Sequence, residues 1–249
     1  MSFFHRRVEI AVRALGEAAA EARAVVEDDF HHFRVTIRAR DGRVSEALSE
    51  APRFPRTLCP AAGARLSELV GLQLTAASAA VAEVVDARQQ CTHQFDLASL
   101  AVAALAQGRP HRVYEAEIPD AHDGGMEAVL KRDGEVVLSW KLHKETILEP
   151  EPYAGRSIGS GFTAFARSLP LEDAEAALVL RRAVYVAGGR RVDRSGKSTM
   201  APPIGGCWVY QPERLDQSER SEDSTFDFTG RAHELARDDA GWLRFETAG

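Results

Sequence analysis

No apolar run in the sequence approaches the roughly 18 residues that a membrane-crossing helix needs, so no membrane partner is expected. The opening Met1-Ser2-Phe3-Phe4-His5-Arg6-Arg7 leads into charge rather than an apolar stretch, and no secretory leader is expected either. Cysteine is scarce. Cys59, Cys91 and Cys207 are an odd number in a chain of 249 residues and include no CxxC pair. They do not make a disulfide framework and fit a reducing compartment, so the expected location is cytoplasmic. A basic excess is also missing. The net charge is −6, which argues against broad nucleic-acid affinity, because that relies on Lys and Arg neutralising phosphates. Internal repeats and an evident inter-domain linker are absent as well.

What is present suits a sizeable core: 45% of residues are apolar and 27% charged. Val8 to Leu15 and Glu21 to Val26 read as strands, parted by Gly16. After the charged corner Glu27-Asp28-Asp29, residues His32 to Ala39 alternate, with Phe33, Val35, Ile37 and Ala39 on one face. Asp41-Gly42 signals a tight hairpin into Arg43 to Ala51. A helix is expected from Cys59-Pro60 to about Val70, a second from Ala76 to Arg88, and a third from Thr92 to Gln107, closed by Gly108 and Pro110. Strands return at Val113 to Ile118, Met126 to Arg132 and Glu135 to His143, the last two joined by Asp133-Gly134. Thr146 to Leu148 continues that ladder. A glycine-rich loop from Gly155 to Gly161 leads to a short helix at Thr163 to Arg167, and a longer one covers Glu172 to Ala187. The pattern then fades, apart from an apolar island at Cys207-Trp208-Val209-Tyr210. The expectation is an α+β fold of antiparallel sheet layers covered by helices, one domain over 1–249. Its sub-layers would be 1–110 and 111–215, followed by a charged tail, 216–249, left loose or packed on another subunit of a homo-oligomer.

Chemistry concentrates in two places. Cys91-Thr92-His93, with Asp96, stands at the start of the third helix, where free N–H groups and the positive dipole end would lower a thiol pKa. His93 there could act as acid or base near neutral pH. The plainer alternative is a packed Cys91, a capping Thr92 and a His93 bonded to a local carbonyl. The second place is Asp28-Asp29-Phe30-His31-His32, carboxylates beside imidazoles at a strand corner, read as lying opposite Phe33. A solvated turn is the plainer reading, and proximity to His93 would decide between them. No metal is expected, because the one-residue gap in Cys91-Thr92-His93 is not ordinary zinc-knuckle spacing. Gly196-Lys197-Ser198 imitates a phosphate-binding loop but has Arg191 where that loop needs glycine. Arg181, Arg182, Arg190 and Arg191 should snorkel, pair with carboxylates or clamp an anionic ligand.

In their order, Cys59-Pro60, Leu69-Val70-Gly71-Leu72, Cys91-Thr92-His93, the stretch from Asp133 to Trp140, Pro152-Tyr153-Ala154-Gly155 and Leu180-Arg181-Arg182-Ala183 resemble a bacterial family. It is catalogued as domain of unknown function twenty-eight eighty-nine, and the likeness runs from about residue 6 to residue 193. The resemblance implies a setting in the catabolism of aromatic or other hydrophobic acids. Some relatives are similar to lyases that release formaldehyde from lignin-derived diaryl compounds. It therefore implies a cofactor-independent, retro-aldol-like cleavage of a small aromatic substrate. Such a reaction needs a base on the hydroxyl proton, an electron sink and a donor where negative charge appears. A para-phenolic ring can be the sink. His93 or His32 would be the base, Asp28 its orienter, and Tyr153 or Arg182 the donor, with Cys91, Thr92 and Arg182 lining the substrate. The doubled His31-His32 leaves two choices for the single histidine of the family at this strand. The alternatives are a non-catalytic binding or accessory protein for a hydrophobic acid, and a cysteine-based metal scaffold.

Overall fold

The computed structural model describes residues 2–120, 124–191 and 206–246. It is α+β, as expected: an antiparallel sheet of eight strands with helices. The strands are β1 (Phe3–Gly16), β2 (Ala19–Asp28), β3 (His32–Arg40), β4 (Arg43–Arg53), β5 (His111–Pro119), β6 (Gly125–Arg132), β7 (Glu135–His143) and β8 (Thr146–Glu149). The helices are α1 (Thr92–Gln107), α2 (Phe162–Ala166), α3 (Leu171–Ala187), α4 (Pro212–Leu215) and α5 (Ala240–Leu243). Among the described residues, no helix is long and apolar enough to cross a membrane. By its contacts the chain forms two compact units. The first comprises Arg7–Arg112, Pro202–Phe226 and His233–Gly249; the second comprises Met1–Arg6, Val113–Ala201 and Asp227–Ala232.

In the first unit the strand order is β4-β3-β2-β1. Asp41 and Gly42 both take positive φ, at 52° and 72°, which turns β3 back into β4 with the twist a two-residue hairpin needs. The β2–β3 register pairs Val26 with Phe33 and Glu27 with His32. Neighbouring pairs therefore face opposite sides of the sheet. The face of Ala22, Ala24, Val26, Phe33, Val35 and Ile37 is fully buried, and α1 packs against both strands. Helix α1 ends where expected, on Gly108 in the left-handed region. Pro60–Leu69 is a 3-10 helix packed on β4. The continuous helix expected over Ala76 to Arg88 is instead two short 3-10 turns, Ser78–Glu83 and Ala87–Gln89. Asp86 interrupts it: its side chain accepts the Arg88 N–H and starts a fresh turn.

The charged tail is partly built onto this unit rather than left loose. Ala236 and Leu243 join Ala11 and Val25 in a small apolar cluster, with Trp242 and Phe245 packed against it. Arg23 donates to the Trp242 carbonyl at 2.7 Å, and its guanidinium lies over the Trp242 and Phe245 rings. Aromatic rings spaced among the charges hold the segment down.

In the second unit the order is β5-β6-β7-β8, with α3 packed on β6 and β7. Trp140, Leu130, Ile118 and Tyr114 are buried there, and the Tyr114 hydroxyl donates to the buried Glu175 of α3.

Candidate functional site

The β2–β3 corner carries the densest chemistry in the first unit. Its chain reverses over Asp28-Asp29-Phe30-His31, closed by the Asp28 N–H donating to the His31 carbonyl at 2.9 Å. Asp28 is fully buried, and its Oδ1 accepts the N–H groups of Phe30 and His31 at 2.8 and 2.9 Å. The same oxygen lies 3.0 Å from His31 Nδ1. An oxygen already accepting two N–H groups can only accept a third, so Nδ1 carries the proton and Nε2 carries the lone pair in neutral His31. Arg53 of β4 braces the corner from behind, donating to the carbonyls of Asp28, Asp29 and His31 and to Glu27.

His93 comes to this corner from the first turn of α1. Its ring centroid lies 3.9 Å from that of His31, and it stacks on Phe33 at 6.2 Å. Proximity to His93, the observation needed to lift the corner above a solvated turn, is met by His31. His32, expected as a possible base alongside His93, faces the other way. Its Nε2 lies 2.8 Å from Asp239 Oδ2 and its Nδ1 3.7 Å from Glu27 Oε1. The cause is strand alternation: His31 shares the Phe33 side, and the next residue must take the opposite one. The run of acids and histidines is thus divided between two faces rather than set opposite Phe33 as a group.

Cys91 is the N-cap of α1, where dipole and N–H groups were expected to lower its pKa. Burial overrides them and pushes the thiol up to about 12, although the Gln94 and His93 N–H groups favour the thiolate. Cys91 is therefore a packed thiol at neutral pH, not an activated nucleophile. Burial raises Cys59 as well. Thr92 is half-buried, and its hydroxyl approaches the Gly206 carbonyl at 3.5 Å.

Among the described residues, Glu27, His32 and Asp239 are the group whose ligand atoms cluster as metal chelation would require. Their hydrogen bonds favour an ion-pair network instead. Glu27 accepts from Arg53 and from the Ala236 N–H, and Asp239 accepts from Arg34 and His32. All four carboxylate oxygens are engaged by N–H donors, and two arginines balance the two negative charges.

Tyr153 and Arg182 belong to the second unit. The Tyr153 ring is buried against Trp140 and Phe165, and burial, followed by the charge of Asp173, raises its phenol pKa. Arg182 is half-buried. Arg181 donates to the Ile158 and Gly159 carbonyls of the glycine-rich loop. Arg190 pairs with acids, Asp120 and Asp227. Gly196-Lys197-Ser198 lies outside the described residues.

Residues 9–107 match the family model described as a protein of unknown function (DUF2889). No curated protein matches the chain. The DUF2889 match holds the whole Asp28–His31–His93 cluster together with His32, Cys91 and Thr92. The resembling stretches at 133–140, 152–155 and 180–183 lie beyond it, as do Tyr153, Arg182 and Asp239. Sequence reasoning missed Asp239 and Arg53. The first is 207 positions from His32, and neither stands in a motif; spatial pairing alone reveals them.

Proposed function

We propose that the chain is a cofactor-independent carbon–carbon lyase that releases formaldehyde from a hydroxymethyl-bearing phenolic diaryl substrate by acid–base catalysis at Asp28, His31 and His93. The observation that carries this reading is the pairing of two imidazoles, 3.9 Å apart, one held in a single tautomer by a buried carboxylate. The reaction uses both an acid and a base. One imidazolium protonates the departing benzylic hydroxyl, which leaves as water while the para-phenol gives its proton to solvent and becomes a quinone methide. The other imidazole takes the hydroxymethyl O–H proton. The C–C bond then breaks, its electron pair rearomatises the ring to a phenolate that solvent reprotonates, and the products are water, formaldehyde and a stilbene. The substrate's own ring is the electron sink.

Incubating the protein with hydroxymethyl-bearing lignin-type dimers, with formaldehyde and stilbene followed by mass spectrometry, tests the proposal. His31→Ala and His93→Ala should each lower turnover by roughly 10²–10⁴-fold, the usual contribution of a positioned acid or base. A loss below about tenfold removes that imidazole from the mechanism. Retention of an unchanged dimer through gel filtration, without turnover, would replace the lyase by a binding protein for aromatic acids.

A further inference from the structure

The face of the corner turned away from His93 is covered by the C-terminal segment. Asp239, fully buried, accepts Arg34 on Oδ1 and His32 on Oδ2, while the Ala236 N–H donates to Glu27 Oε2 at 2.7 Å. Glu27 and His32 are the covalent neighbours of Asp28 and His31. They are also register partners, so they bracket the reversal on both strands. We propose that Asp239 is a positioning residue for the acid–base pair, and that residues 233–246 clamp the β2–β3 corner from behind. This rests on reading Asp28, His31 and His93 as the reacting groups.

His31 keeps its tautomer only while Asp28 Oδ1 stays within hydrogen-bond reach, now 3.0 Å. That distance depends on the φ and ψ angles of a four-residue reversal. Arg53 fixes the reversal through its carbonyls, and the clamp fixes the side chains at both of its ends. The planar peptide units pass the constraint inward by one residue on each strand. Leu243 and Ala236, packed on Val25 and Ala11, supply the apolar hold that keeps Asp239 in place. In this arrangement His32 serves as a donor to Asp239, not as a base. Because Asp239 accepts on both oxygens, Asp239→Asn leaves one of its two donors facing an N–H₂ group.

Histidine-selective ¹⁵N labelling reads the consequence directly, since the chain has 8 histidines and the two imidazole tautomers give different ring-nitrogen patterns. The wild type should show one locked Nδ1–H ring, assigned to His31 by its loss in His31→Gln. In Asp239→Asn that pattern should average between tautomers, and carbethoxylation of His31 should accelerate on the order of tenfold as the corner opens locally. If Asp239→Asn does not fold, His32→Ala breaks the same contact from the other side. His32→Gln, whose amide can still donate to Asp239, should keep His31 locked. An unchanged His31 pattern and reactivity in Asp239→Asn, or in His32→Ala, overturns the positioning role. Dimer turnover measured alongside separates the two ideas. A wild type that turns nothing over, yet shows His31 responding to Asp239→Asn, sinks the lyase reading alone.

Discussion

At the scale of single residues, Cys91 and His31 show how burial and facing decide what a reactive side chain can do. Cys91 sits where a helix terminus would make a thiolate, yet removal from water has the larger effect and holds it as a thiol. Cys59 is buried as well, whereas Cys207 is half-buried. A disulfide reagent at pH 8 should therefore modify Cys207 first and reach Cys59 and Cys91 only through opening of the fold. In urea all three should react at similar rates, and fast modification of Cys91 in the folded protein would contradict its assigned state. The sequence places cysteine and histidine at a helix start legibly, but burial depends on segments distant along the chain, such as that of Trp208, whose N–H donates to the carbonyl of neighbouring Gln90. For the acid–histidine run, period-two alternation does say that His31 and His32 part company. It does not say which of them meets His93, because that depends on where α1 docks.

At the scale of elements, legibility follows the strength of local signals. Helix α1 is readable to the residue, since Gly108 and Pro110 stop it and its interior has no competing cap. The two Asp-Gly hairpins are equally plain, with Asp133 and Gly134 also at positive φ. The stretch Ala76 to Arg88 misleads because alanine favours helix everywhere, while Asp86 ends one turn and begins another. Close packing between elements is not legible at all, and Gly63 of the 3-10 helix on β4 illustrates it. A Cβ there would sit 2.9 Å from Gln94 Oε1 and 3.1 Å from Ser49 Cβ, pressing α1 and β4 apart. Gln94 is fully buried and tied through Nε2 to the Cys59 carbonyl, so it has little room to yield. Gly63→Ala should cost about 1–3 kcal/mol, the usual penalty of overpacking, as a lowered urea midpoint with unchanged slope. A midpoint equal to that of the wild type would show that Gln94 can move aside.

At the scale of the whole molecule, buried carboxylates set the response to acid. Burial pushes Glu21 up, but bonds from Arg38 and Arg23 and the charge of Arg13 outweigh it and hold the carboxyl below its ordinary 4.5. Burial likewise opposes ionisation of Asp239, and His32 and Arg34 bring it below its ordinary 3.8. A carboxyl whose pKa is lower in the native state releases its proton more readily there, so it stabilises the fold above the unfolded-state pKa. That contribution is complete above about pH 4.5 and is lost as the pH falls through the lower native values. The urea midpoint should thus be level across neutral pH and fall steadily below about pH 4. The double variant Glu21→Gln, Asp239→Asn should start lower and fall less steeply. A parallel decline in the two proteins would assign acid sensitivity to other groups.

The clamp also has a consequence for synthesis. His32 and Asp239 are 207 residues apart, so the corner emerges from the ribosome long before the residue that closes it. At translation rates of about 5–20 residues per second, Glu27 and His32 wait roughly 10–40 s for their partners. Throughout that interval the nascent chain holds, beside an apolar strand, the His32 imidazole without Asp239 and one Glu27 oxygen without the Ala236 N–H. A chaperone able to shield that strand would matter most during elongation, and a stalled ribosome would present an N-terminal hairpin that is assembled but not yet locked.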